Sequence, residues 1–168
     1  SEDIVIGNGS FSSATSAIGN VVLGKTVGSA VTTGTYNILI GYNTGNALTE
    51  GNFNVLMGRN VMSNSGTTAS NNVILGHEAG YTAAGSNNIL IGKFAGRSFQ
   101  TTSNSVAIGK SAAYSTTVGE YNTVVGHESL YNNIDGDKNT SVGYHSLYTM
   151  EPSSDEGNNT AVGYNAGK

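Results

Sequence analysis

A glycine preceded by three mostly apolar residues recurs from end to end, at Gly7, Gly24, Gly41, Gly58, Gly76, Gly92, Gly109, Gly126, Gly143 and Gly163. The spacings are 17, 17, 17, 18, 16, 17, 17, 17 and 20 residues. A unit this short cannot hold a helical hairpin, which takes more than about thirty residues in helical repeats. Four residues before the glycine stands an asparagine, as in Asn20, Asn37, Asn54, Asn72, Asn88, Asn122, Asn139 and Asn159, with Asp3 and Ser105 as departures. Small or apolar residues follow three and four places after it, as in Ala79-Gly80, Ala95-Gly96 and Ala112-Ala113. The triplets, such as Ile38-Leu39-Ile40 and Val73-Ile74-Leu75, are short, aliphatic and bounded by Asn, Gly, Ser and Thr, which marks strands. The fold expected is therefore all-β: a parallel β-solenoid, of β-roll or β-helix type, with about ten 17-residue turns in one repeat domain over residues 1–168.

Side chains alternate along a strand, so the first and third residues of a triplet face one way and the middle residue the other. Both faces are apolar, and both need cover. We expect one face to line the coil and the middle column, Val5, Val22, Leu39, Leu56, Ile74, Leu90, Ala107, Val124, Ser141 and Ala161, to pack against identical chains, three coils around an axis. The smaller and partly polar members toward the C-terminus then predict a tapering or wetter axis. The asparagines are expected to bond from turn to turn, because an amide both donates and accepts. The repeat glycine is expected either in a conformation closed to other residues or where two coils meet too closely for a Cβ.

Composition narrows the function. With 11% charged residues, a net charge of −4 and recurrent aliphatic clusters, the chain lacks the signature of disorder. Seven Lys and Arg are too few and too scattered for a nucleic-acid surface. No run reaches the ~18 apolar residues of a membrane span, so no membrane insertion is expected. The absence of cysteine leaves the compartment open.

The segment Asn104-Ser105-Val106-Ala107-Ile108-Gly109-Lys110-Ser111-Ala112 resembles the head-domain repeat of trimeric autotransporter adhesins, a left-handed parallel β-roll of three chains. The C-terminal Asn158-Asn159-Thr160-Ala161-Val162-Gly163-Tyr164-Asn165-Ala166-Gly167 resembles the repeats of phage and phage-like tail-fibre proteins more closely, and the 17-residue period is that group's. The resemblance implies a left-handed homotrimer on a virion or outside the cell, and a structural and host-attachment role. A bacterial trimeric surface adhesin is the alternative. It brings no catalytic residues. The sequence itself lacks His-Glu-x-x-His, phosphate-loop and nucleophile-elbow patterns, so no enzyme activity, cofactor or metal is expected. Asp135 and Asp137 around Gly136 read as a turn rather than a calcium loop.

Recognition is expected in the column directly after the glycine. Tyr42, Arg59, His77, Lys93, Lys110, His127, Tyr144 and Tyr164 fall there, with Asn8 and Lys25, while His145 lies one place further on. Aromatic rings and donors in a row suit a cell-surface glycan or anionic polymer. A His column on a three-fold axis would also bind metal, but long polar neighbours mark it as an outer face. A second candidate is Tyr148–Gly157, which holds the only proline, Pro152, and lengthens the last spacing. Extra residues in a solenoid emerge as a loop. Ten turns at about 4.8 Å predict a rod roughly 45 to 50 Å long. Because the motif runs to both termini, neighbouring domains or copies are expected to cover the ends, with the chain a segment of a longer fibre.

Overall fold

The computed structural model describes residues 2–64, 68–150 and 157–168. Ten strands stack in sequence order into one parallel sheet, and among the described residues there is no helix. They are β1 (Ile4–Ile6), β2 (Val21–Lys25), β3 (Ile38–Tyr42), β4 (Val55–Arg59), β5 (Val73–Leu75), β6 (Ile89–Ile91), β7 (Val106–Ile108), β8 (Thr123–Val125), β9 (Thr140–Val142) and β10 (Thr160–Val162). Every pairing joins equivalent repeat positions, such as Leu39 with Leu56 and Gly41 with Gly58. The expected β-solenoid is the observed fold. Residues 151–156, which carry the loop expected around Pro152, lie outside the described residues.

The sidedness of the triplets is the reverse of the expectation. Val22, Leu39, Leu56, Ile74, Leu90, Ala107 and Val124 of the middle column are fully buried inside the chain's own coil. The first and third residues face outward, and Ile38, Met57 and Ile89 remain about 40% exposed (39, 41 and 39%). Parity explains it. The asparagine stands two residues before the middle residue, so the two share a face, and the asparagines are buried.

That buried asparagine column is a continuous ladder. Asn37 donates its backbone N–H and its Nδ2 to Oδ1 of Asn20, at 2.9 and 3.1 Å, and its Nδ2 also donates to the carbonyl of Gly51 at 2.9 Å. Asn54 repeats both bonds to Asn37. Asp3 ends the ladder as a pure acceptor from Asn20, and Ser105 carries it on with its backbone N–H and its hydroxyl. A second ladder runs in the opposite sense from Thr35 through Asn52, Ser70 and Ser86 to Ser103. At its far end the Glu120 N–H donates to Oδ1 of Asp137.

The repeat glycine sits in a conformation closed to other residues, and the close approach there is between successive turns of one coil. Gly41 has φ +139°, and a Cβ there would lie 1.7 Å from the carbonyl oxygen of Gly58. Beyond it, the chain turns on left-handed residues two and four places on. The first donates back to the preceding turn, as Asn43 to Lys25, and the second forward to the next, as Gly45 to Val61. Neither of these turn groups is left unpaired, and among the described residues the coil closes without further strands.

The core changes composition along the stack, and the expected tapering axis is instead an exchange of volume inside the coil. In three turns a large middle residue is followed six residues later by glycine, Leu39 by Gly45, Ile74 by Gly80 and Leu90 by Gly96, whereas Leu56 is followed by the buried Met62. A Cβ on Gly96 would lie 2.8 Å from Leu90. In two later turns a smaller middle residue has a leucine at that position, Val124 with Leu130 and Ser141 with Leu147, while Val22 keeps Gly28. The buried Ser141 hydroxyl is satisfied by the carbonyl of Ser146 at 2.8 Å and by the Ser129 hydroxyl at 2.7 Å.

Candidate functional site

The residues expected to form a recognition column do lie in register, one per turn, beside the edge of the sheet. Tyr42 and Arg59 are direct strand partners, and the Arg59 guanidinium sits 5.8 Å from the Tyr42 ring centre. His127 stacks on Tyr144 at 5.3 Å and 6°, and Tyr144 on Tyr164 at 5.1 Å and 10°. Lys93 covers the Phe94 ring at 4.7 Å, and Lys110 is exposed. Tyr42, Arg59, Lys93, Lys110, Tyr144 and Tyr164 are exposed, whereas His77 and His127 are half-buried. Stacked rings one turn apart follow from the fold: parallel in-register turns place like side chains at a spacing close to that of aromatic stacking.

A second column was not anticipated. Five residues after the glycine stand Tyr81, Arg97, Tyr114, Tyr131 and Tyr148, on the same side of the coil. Tyr114 stacks on Tyr131 at 5.0 Å and Tyr131 on Tyr148 at 5.2 Å, while Arg97 lies 5.0 Å from the ring centre of Tyr81. The earlier turns hold Ser12, Ser29, Asn46 and Ser63 there, so the aromatic strip begins only at the fifth turn. Its signal was in the sequence, four tyrosines at the repeat period, one place beyond the positions aligned.

Between the two columns lies a narrow row of Glu78, Phe94, Ser111, Glu128 and His145, all with left-handed backbone. Phe94 meets Tyr114 edge-on at 6.1 Å, and His145 packs on Tyr144 at 3.9 Å and Tyr148 at 4.5 Å, which joins the columns into one surface. Oε2 of Glu78 accepts from Nε of Arg97 at 3.0 Å, and Nε2 of His145 lies 2.8 Å from Oε2 of Glu128. Burial, then the neighbouring Tyr114 and Tyr148 rings and the Glu128 carboxylate, push the Tyr131 phenol above its ordinary 10.0.

The strip is an aromatic and hydrogen-bonding face spanning turns five to ten. Flat rings cover the apolar faces of sugars, and the flanking hydroxyls, imidazoles and cations meet hydroxyl or acidic groups. Away from it, Tyr36 and Phe53 stack at 5.4 Å on a separate exposed corner of the early turns.

Comparison with protein-family models, with curated proteins and with solved structures finds no match to this chain. The class of molecule is therefore set by its own geometry, a parallel β-solenoid of one sheet.

Proposed function

We propose that the chain is a non-enzymatic segment of a phage or phage-like tail fibre, assembled from three copies and contributing to attachment at the host-cell surface. The observation that carries this reading is the outward face of the sheet. Its twenty first and third positions, from Ile4 and Ile6 to Thr160 and Val162, are aliphatic, Met or Thr, and none is charged. A contiguous apolar face ten strands long demands a partner surface. The partner we assign is the same face of two further copies, because in-register columns of one chain match those of another at every turn. The two-sided burial expected from the triplets is kept, with the inner and outer sets exchanged. Attachment is assigned to the aromatic strip, which lies past the glycine edge and faces away from the coil.

Light scattering tests the assembly. The expected mass is three times that of the 17.2 kDa chain, and Ile40→Lys combined with Ile91→Lys is expected to give folded single chains. A stable folded monomer of the unmodified protein would refute the trimer. For attachment, glycan-array or host-cell binding is expected, and it should disappear in Tyr144→Ala combined with Tyr164→Ala while the assembly mass is unchanged. Undiminished binding by that variant would remove the strip from the mechanism.

A further inference from the structure

Beyond attachment and assembly, we infer that His127, Glu128 and His145 form a binding site for a divalent first-row transition-metal ion, of which Zn²⁺ is the type, linking the eighth and ninth turns. One ligand atom from each residue lies within 4.8 Å of the others. Nε2 of His127 is 3.7 Å from Oε1 of Glu128, and Nε2 of His145 is 2.8 Å from Oε2 of the same carboxylate. Ligand atoms about 2.0 to 2.2 Å from a tetrahedral ion are about 3.3 to 3.6 Å apart, inside the 4.8 Å within which these three groups already lie. Two imidazoles and one carboxylate are ligands suited to Zn²⁺, Co²⁺ or Ni²⁺, and they leave a fourth position for water or an incoming group.

The backbone and the rings hold these groups in place. The Glu128 N–H donates to the Lys110 carbonyl at 2.9 Å and the His145 N–H to the His127 carbonyl at 3.1 Å. Tyr144 packs against both imidazoles, at 5.3 Å from His127 and 3.9 Å from His145. Nδ1 of His127 is buried, so Nε2 is the nitrogen available to an ion.

The chain contains its own control. His77-Glu78 repeats the dipeptide three turns earlier, with Nε2 3.8 Å from Oε1. In the following turn, however, Phe94 takes the position that His145 holds, and Arg97 already occupies the Glu78 carboxylate at 3.0 Å. A guanidinium there supplies the positive charge and repels a second cation, so binding is confined to the later pair of turns.

The test uses the full chain without a histidine tag, titrated with ZnCl₂ by calorimetry and with CoCl₂ by visible absorption. Saturation at one ion per chain is expected, with the intense visible bands of four-coordinate cobalt. His145→Asn and Glu128→Ser, which place residues that other turns already carry at this position, should each weaken binding more than about tenfold. His77→Tyr should leave it unchanged. Far-UV circular dichroism verifies that each variant keeps the solenoid. The site is refuted if the unmodified chain does not saturate, if His145→Asn and Glu128→Ser bind as the unmodified chain does, or if His77→Tyr removes the binding.

Discussion

At the scale of single residues, the stack repeats one set of demands, and the demands are strict only where a group faces both neighbours. Asn37 donates upward and to Gly51 while its oxygen accepts from Asn54, so Asn37→Ala strands several buried groups at once. A loss of about 3 kcal/mol in urea unfolding is expected. Asn37→Asp should be no better, since a carboxylate cannot donate. Asp3→Asn should change stability by less than about 1 kcal/mol, because that end of the ladder only accepts. The glycines divide in the same way. Gly41→Ala drives a Cβ into the Gly58 carbonyl and should cost more than about 4 kcal/mol, whereas Gly9, with φ +67° and nothing within 4 Å, should lose only about 1 kcal/mol as alanine. Equilibrium denaturation of the two variants side by side checks the contrast. These residue roles were legible in the sequence, because a buried amide and an invading Cβ leave a signature at each period.

At the scale of elements, the triplet's pleat was legible but its facing was not. Alternation says that Leu39 opposes Ile38 and Ile40; it does not say which set lies inside. The deciding fact is that Asn37 and Leu39 share parity, so burying the amide ladder buries the middle column with it. The coil also encloses large side chains from later in the turn, such as Val31, Leu48 and Phe99, and beside the smaller middle residues Val124 and Ser141 it encloses Leu130 and Leu147 of the same chain. The aromatic row gives the element-scale prediction. In the folded chain the Tyr131 phenol holds its proton more tightly than in the unfolded chain, where release occurs near 10.0. Its contribution to stability is complete below about pH 10 and is lost as pH rises through the raised folded value. Tyr131→Phe should flatten the fall in urea midpoint between about pH 9 and pH 11. An equal fall in both proteins would show that the shift carries no weight.

At the scale of the whole molecule, each turn touches only the next, and stability is a sum over turns and their interfaces. Deleting residues 38–54 joins Asn37 to Val55 and preserves every column, so a shorter solenoid should fold, with a denaturant m-value lower by about a tenth. Removing half that length shifts the glycine and asparagine columns out of register, and loss of cooperative unfolding is expected. The architecture was legible in the sequence because the period announces it. The candidate site was only half legible: the column after the glycine could be read from Tyr42 to Tyr164, but its merger with Tyr81, Tyr114, Tyr131 and Tyr148 depends on the two left-handed residues that follow each repeat glycine and fold separate repeat positions onto one face.

Those one-neighbour contacts also fix how the molecule responds to a pull. The rungs stack along a single axis, so tension between the termini loads the interfaces in series. The outermost rungs yield first, each held by one neighbour rather than two. A single chain held in an optical trap should unreel turn by turn, each event releasing about 58 Å of contour, the length of 17 extended residues. Clamping by the outward sheet face would change that graded yielding into a single brittle rupture.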